Sequence, residues 1–511
     1  MSEVPSSIPV SATSSPSPGL PAPGTAPRLL VLGGGITGLA AALHALDAGA
    51  RVTLVEAAAR LGGKLRSGEI EGVRVDLGAE SMLARRPEAV ALARAAGLGH
   101  KLQPPNTASA SLWTRDALRP MPKGHVMGVP AEAGSLAGVL SDEGLRRIDA
   151  EAELPPEELG DDVAIGEYVA RRLGREVVDR LVEPLLGGVY AGNAYRISMR
   201  AAVPQLWRTV REHPRLTDAV RAAQANAANG AGGKQPGGPV FQGLKGGLGT
   251  LPLAVARTVR DRGGEIRTGT AAEELRRTPE GWRVVLTDGS VLEADAVVLA
   301  LPAPRAARLL DAESPAAAAE LRAVEYASMA LVTLAYRRAD TAALPAGSSG
   351  FLVPPVDGRT IKASTFSSQK WAWVEEENPE LLVLRTSLGR HGDTADLARD
   401  DAELVSLSRR DLRLATGLDA RPVASVVTRW NDGLPQYPVG HQSRIARVRE
   451  HVTKLPGLAV CGAAYDGVGI PACVASARAA VDGLLRTVAL PEAKPTPSGS
   501  PGRTAESEEG E

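Results

Sequence analysis

The chain has 511 residues, 44% hydrophobic and 23% charged, with a net charge of −1. That is ordinary globular composition, long enough for two or three domains, and it supplies no global field for nucleic acid or an anionic membrane. Aromatic residues are only 3%, so Ala, Leu and Val must fill the core, and base-stacking platforms are not expected.

Residues 1–27 are Ser, Pro, Ala and Gly with few large apolar groups; they cannot offset their ordering entropy and read as a disordered arm. The arm lacks a basic region followed by an apolar one, and its first positive side chain is Arg28, which argues against a secretory signal or an Arg-rich transit peptide. Leu29–Leu32 is a short apolar run ending at glycine and predicts a buried strand. Residues 37–48 have helical spacing, with Leu39, Leu43 and Leu46 on one face, and Arg51–Glu56 predicts a second strand. From 85 to 221 the pattern is mainly helical, with Ile165, Tyr168, Val169 and Leu173 on one stripe. Residues 222–240 read as a flexible loop. Strands return over 264–302, where Trp282–Thr287 and Ser290–Glu293 flank the hairpin signal Asp288-Gly289. Residues 313–451 mix strands and helices, 457–486 give a strand and a long Ala-rich helix, and 488–511 read as a second disordered tail. No run of about 18 apolar residues occurs, so no membrane anchor is expected. Cys461 and Cys473 lack CxxC or Cys/His companions, and the seven histidines form no ligand spacing; no metal is expected, and the thiols read as buried and reduced in a cytoplasmic protein.

Gly33, Gly35 and Gly38 form G-x-G-x-x-G between the first strand and the first helix. Gly33 permits the tight turn, Gly35 lets the backbone approach a pyrophosphate, and Gly38 lets the helix pack on the strand; free N–H groups at the helix start then face the phosphates. Glu56 ends the next strand, 23 residues after Gly33, where a carboxylate accepts ribose hydroxyls and repels a 2′-phosphate. Arg60, Gly62 and Gly63 follow, where the chain must pass the pyrophosphate and Arg60 can help neutralise it. Near the other end, Gly467-Val-Gly469 precedes a helix starting near Pro471, a second helix N-terminus suited to the electron-rich end of a reduced flavin. Together these segments point to FAD. The predicted fold is α/β: a discontinuous Rossmann-like FAD-binding domain of glutathione-reductase type (28–84, 241–312 and 452–487), an inserted mainly helical domain (85–221) and an inserted α+β substrate domain (313–451).

Val75-Asp-Leu-Gly-Ala-Glu-Ser81, Leu181–Asn193, Leu244–Leu251, Trp430–His441 and Gly462–Cys473 carry a family likeness. Over about 28–487 the chain resembles the flavin amine-oxidase superfamily, and within it the protoporphyrinogen/coproporphyrinogen oxidases of haem biosynthesis, soluble bacterial branch. The resemblance implies that Ile36, Thr37, Lys64, Gly78, Ala79, Glu80, Ser81, Ala272, Trp430, Gly462, Val468, Gly469 and Ile470 join the glycines, Glu56 and Arg60 around FAD. It also implies a porphyrinogen substrate with dioxygen as acceptor, coproporphyrinogen III ahead of protoporphyrinogen IX. Gly187 and Gly188 would lie where substrate meets the flavin, since a flat macrocycle reaches the ring only past backbone without side chains; the same pair could also just end a helix. Arg86 is the candidate for a substrate propionate and Tyr190 for the pocket wall, against surface solvation and core packing respectively. Relatives on membranes carry an arginine near the stretch Ala110–Trp113, which here has none before Arg115, so propionate contacts do not transfer wholesale. The alternatives are an amine oxidase, in which Cys461 beside Gly462 invites a covalent flavin link, a polyene desaturase, and a non-catalytic FAD-fold binding protein.

Overall fold

The computed structural model describes residues 26–229 and 239–488; the arm over 1–25, the middle of the 222–240 segment and the tail after 488 lie outside them. Five parallel strands form one sheet in the order Glu265–Thr268, Arg51–Glu56, Arg28–Leu32, Ala296–Leu299, Leu458–Val460. Its middle strands are covered on both faces, which is why Arg28–Leu32 is a continuous apolar run instead of an alternating one. Leu29 and Val31 face the helices Ile36–Asp47, Thr250–Asp261 and Ile470–Val488. Leu30 and Leu32 face the opposite way, against a three-stranded antiparallel sheet (Ala272–Thr278, Gly281–Leu286, Val291–Ala294) and three helices. Pieces from both chain ends and the middle therefore share one core, each buried Leu or Val contributing about 1.5–3 kcal/mol.

A seven-stranded sheet lies beyond, in the order Ala424–Pro435, Tyr326–Arg337, Leu381–Leu388, Ile361–Thr365, Gly350–Leu352, Ala110–Thr114, Ala117–Pro120. Its last two strands come from the region read as helical: Ala110–Leu112 pairs in parallel with Gly350–Leu352. The helices of 142–228 enclose their own core, in which Ile165, Tyr168, Val169 and Leu173 are all buried.

Two expected boundaries need correcting. The segment 222–240 opens as helix, because Leu216–Ala228 runs on through alanines that favour it. The division at 451/452 cuts the helix His441–Thr453, whose Ile445, Val448 and Val452 pack beside the parallel sheet instead of the seven-stranded one. Among the described residues no helix is long and apolar enough to cross a membrane.

Candidate functional site: a dinucleotide cradle

The first glycine turn is built by close backbone approach. Gly33 has φ +110° and donates its N–H to Val55 O at 2.8 Å, and a Cβ there would meet Ala300 O at 2.4 Å. A Cβ on Gly38 would stand 1.8 Å from Gly33 O, so the helix sits against the turn as only glycine allows. Gly35 differs: its φ is −70°, and a Cβ would meet nothing within 4 Å. It borders open room at the helix N-terminus, beside Ile36, where free N–H groups attract an anion. Glu56 reaches the same turn, accepting from Gly34 N at 2.6 Å and Ala58 N at 2.8 Å. Two bonds leave lone pairs for ribose hydroxyls, and Gly269 and Thr270 bond back to Ala58 O and Glu56 O, which brings Ala272 alongside.

The second wall crosses in front of the first. Gly62 N donates to Gly34 O at 2.9 Å, and a Cβ on Gly63 would lie 3.4 Å from Gly35 Cα. Arg60 folds over this turn, donating to Gly63 O at 3.0 Å; burial, then Arg66, lowers its pKa. Lys64 is accessible to solvent, yet burial lowers its pKa. Gly78 passes so tightly that a Cβ would meet Lys64 O at 2.0 Å, with Trp430 3.4 Å away; Trp430 Nε1 donates to Leu77 O at 2.9 Å. Asp76 clamps the Leu244–Leu251 segment by accepting from Leu248 N and Gly249 N at 2.8 and 3.0 Å, and burial pushes its carboxyl up to about 6.

The C-terminal segment closes the ring. A Cβ on Gly462 (φ +126°) would lie 3.7 Å from Thr37 Oγ1, and the Cys473 thiol donates to Gly467 O at 3.6 Å. Ile470 opens the last helix, Gly469 stands just before it, and Val468 packs on the helical core. The Gly33–Gly38 turn, the Gly62–Lys64 turn, Gly78 and Gly462–Ile470 thus come together around the first helix N-terminus. Their positive-φ glycines, that helix N-terminus, the Glu56 carboxylate and the solvent-accessible Lys64 suit an FAD.

Gly187 and Gly188 lie within the helix Glu183–Tyr190, which runs through them and ends at Ala191 with φ 49°. They do not stop it. A wide π-helical turn, Val178–Val182, precedes this helix, a distortion frequent at functional sites. A Cβ on Gly187 would meet nothing within 4 Å; on Gly188 it would meet only Leu352 at 3.7 Å. Leu352 pairs with Ala363, Ala363 with Ser387 and Ser387 with Leu331. That row crosses the sheet beside the helix of the two glycines, with Leu352 lying against Gly188.

Four expectations change. Arg86 caps the helix Pro87–Ala95, pairs with Glu88 at 2.7 Å and lines a cavity of about 560 Å³ with Arg449, Ala475 and Leu484; it is not brought to Gly187 and Gly188. Tyr190 is buried against Tyr437, ring centroids 5.6 Å apart, so it packs rather than lines. The Glu80 carboxylate, between Ala79 and Ser81, is committed to Lys370 at 2.6 Å and Arg385 at 3.2 Å, leaving only backbone at that position for a cofactor. Burial would raise its pKa, but Arg385 and Lys370 together hold it below the ordinary range. Cys461 is wholly buried among Leu39, Val474 and their neighbours, away from any flavin link. Sequence reasoning missed Lys370, Arg385 and Leu352; a charged residue inside a strand that opens with four apolar residues was the available signal for Arg385.

The sequence matches the family described as flavin containing amine oxidoreductase over residues 36–485. It is 39% identical to the coproporphyrinogen III oxidase of Mycobacterium tuberculosis H37Rv over 468 residues, 90% of this chain and 97% of that one. It is 32% identical to the coproporphyrinogen III oxidase of Bacillus subtilis 168, covering 90% and 98%. The crystal structure of a candidate protoporphyrinogen oxidase from Exiguobacterium sp. 255-15 superposes with TM-score 0.78 at 33% identity, covering 90% and 98%. The cradle and these likenesses agree on the cofactor, FAD, and the chain belongs to the flavin containing amine oxidoreductase family, within its porphyrinogen-oxidase group.

Proposed function

We infer that this protein oxidises coproporphyrinogen III to coproporphyrin III in haem biosynthesis. Six electrons pass in three rounds to dioxygen, and three hydrogen peroxide molecules leave. The observation that carries this reading is the similarity to coproporphyrinogen III oxidases along nine-tenths of the chain; the open space that a Cβ on Gly187 would meet supports it. FAD, when bound, supplies a hydride acceptor for a saturated meso carbon of the substrate.

The protein's own part is positioning and exclusion of water. Gly187 and Gly188 present a flat helix edge, the row Leu352, Ala363, Ser387 and Leu331 lies across the sheet beside it, and Lys64 places positive charge near the cradle. Cys461 and Cys473 are free thiols, which supports a reducing, cytoplasmic setting. A protoporphyrinogen oxidase is the second reading, favoured by the name of the Exiguobacterium structure. Turnover of the two porphyrinogens in air, read by porphyrin fluorescence and oxygen uptake, separates them: the first reading requires higher kcat/KM for coproporphyrinogen III. Equal or reversed values overturn it.

A further inference from the structure

The strand Ile361–Thr365 is not regular. Ile361 pairs with Leu388 and Ala363 with Ser387, so Lys362 is one extra residue against a neighbour that has none. Such bulges re-aim a side chain and recur beside active sites. Lys362 is 5% exposed, and its ammonium donates to Gly389 O at 2.8 Å. Arg390 stands next to it and donates to Val353 O at 3.1 Å. Among the described residues no carboxylate comes within ion-pairing distance of either cation; Glu183 and Asp393 act on Arg390 only from further away. Burial and then Arg390 push the Lys362 ammonium down to about 7. A buried ammonium beside a half-buried guanidinium, both held only by carbonyls, is costly to fold and invites an anion.

Their place says which anion. Val353 follows Leu352, the residue against Gly188, and the next residue after Arg390, His391, bonds to Ala191 O at the end of the Gly187–Gly188 helix. Glu183 starts that same helix. The cations therefore stand beside the Gly187–Gly188 helix, beyond the row Leu352–Ala363–Ser387.

We propose that the bulge at Lys362, with Arg390 beside it, is a carboxylate subsite that takes one propionate of the tetrapyrrole lying under Gly187 and Gly188. The assignment rests on the porphyrinogen reading above. It replaces Arg86 as the positioning cation and gives the bulge a purpose that packing does not.

The test uses the full-length FAD-loaded protein and two variants, Lys362→Met and Lys362→Arg. Lys362→Met raises KM for coproporphyrinogen III about tenfold, the loss of one charge-assisted hydrogen bond, with kcat within about twofold. It weakens binding of the product coproporphyrin III, read by fluorescence quenching, by the same factor. Flavin content is unchanged, and the melting temperature does not fall, because an apolar side chain replaces a buried charge. Lys362→Arg restores most of the affinity. Wild-type KM and product affinity in Lys362→Met overturn the subsite, as does a fall in melting temperature without a KM effect. If the wild-type protein oxidises no porphyrinogen, the functional reading fails first and the subsite falls with it.

Discussion

Gly35 and Gly38 stand three residues apart in one turn, yet their substitution has opposite expected consequences. A Cβ on Gly38 would sit 1.8 Å from Gly33 O, a backbone atom pinned by the parallel sheet. Gly38→Ala must push the helix off the strand, and overpacking of this kind costs about 1–3 kcal/mol or more. At Gly35 the backbone is extended (φ −70°, ψ 177°) and a Cβ meets nothing, so Gly35→Val leaves apoprotein stability within about 0.5 kcal/mol. Its methyls instead fill the room at the helix N-terminus that the pyrophosphate needs. The assay is urea unfolding of flavin-free protein, paired with flavin absorbance after incubation with excess FAD and gel filtration. Gly35→Val folds like the parent and comes off the column colourless; Gly38→Ala unfolds at lower urea even without FAD. Wild-type flavin content in Gly35→Val, or a loss above about 2 kcal/mol in its apoprotein, refutes the assignment of that space.

Gly188→Leu keeps helical geometry but places a side chain against Leu352 and into the proposed substrate space, so porphyrin formation drops at least about a hundredfold while the flavin spectrum persists. Glu80→Gln leaves Lys370 and Arg385 without their buried counter-charge and lowers unfolding free energy by about 3 kcal/mol, measured in urea. His441 is buried and stacked on Tyr437 with ring centroids 4.2 Å apart, and burial lowers its pKa to about 4. Between pH 6.5 and 4 the unfolded chain therefore binds a proton that the native imidazole refuses, so stability falls with pH across that window by up to about 3 kcal/mol. Titrating stability against pH in wild type and His441→Phe should show that slope only in the former.

The sequence was most legible where structure is local. Arg51–Glu56 occupies the predicted strand, because a buried parallel strand is an apolar run and its flanking glycines are punctuation. The last strand and helix were legible for the same reason. What escaped was non-local. Nothing in Ala110–Thr114 signals a parallel partner some 240 residues away, and Arg86 follows a family segment yet leads its helix to another face. The Glu80 ion pairs join residues about 290 and 305 positions apart, a distance over which periodicity carries no information. Lys362 sat within a strand of ordinary appearance, and only the register of its neighbour exposes the bulge.

The central claim is that one FAD, framed by both ends of the chain, takes electrons from a porphyrinogen beside Gly187 and Gly188. Anaerobic mixing of the reconstituted protein with coproporphyrinogen III tests it in a single trace. The account predicts bleaching of the flavin absorbance, then its return with growing porphyrin fluorescence once air is admitted. A flavin that stays oxidised through the anaerobic phase, with substrate present and FAD bound, contradicts it.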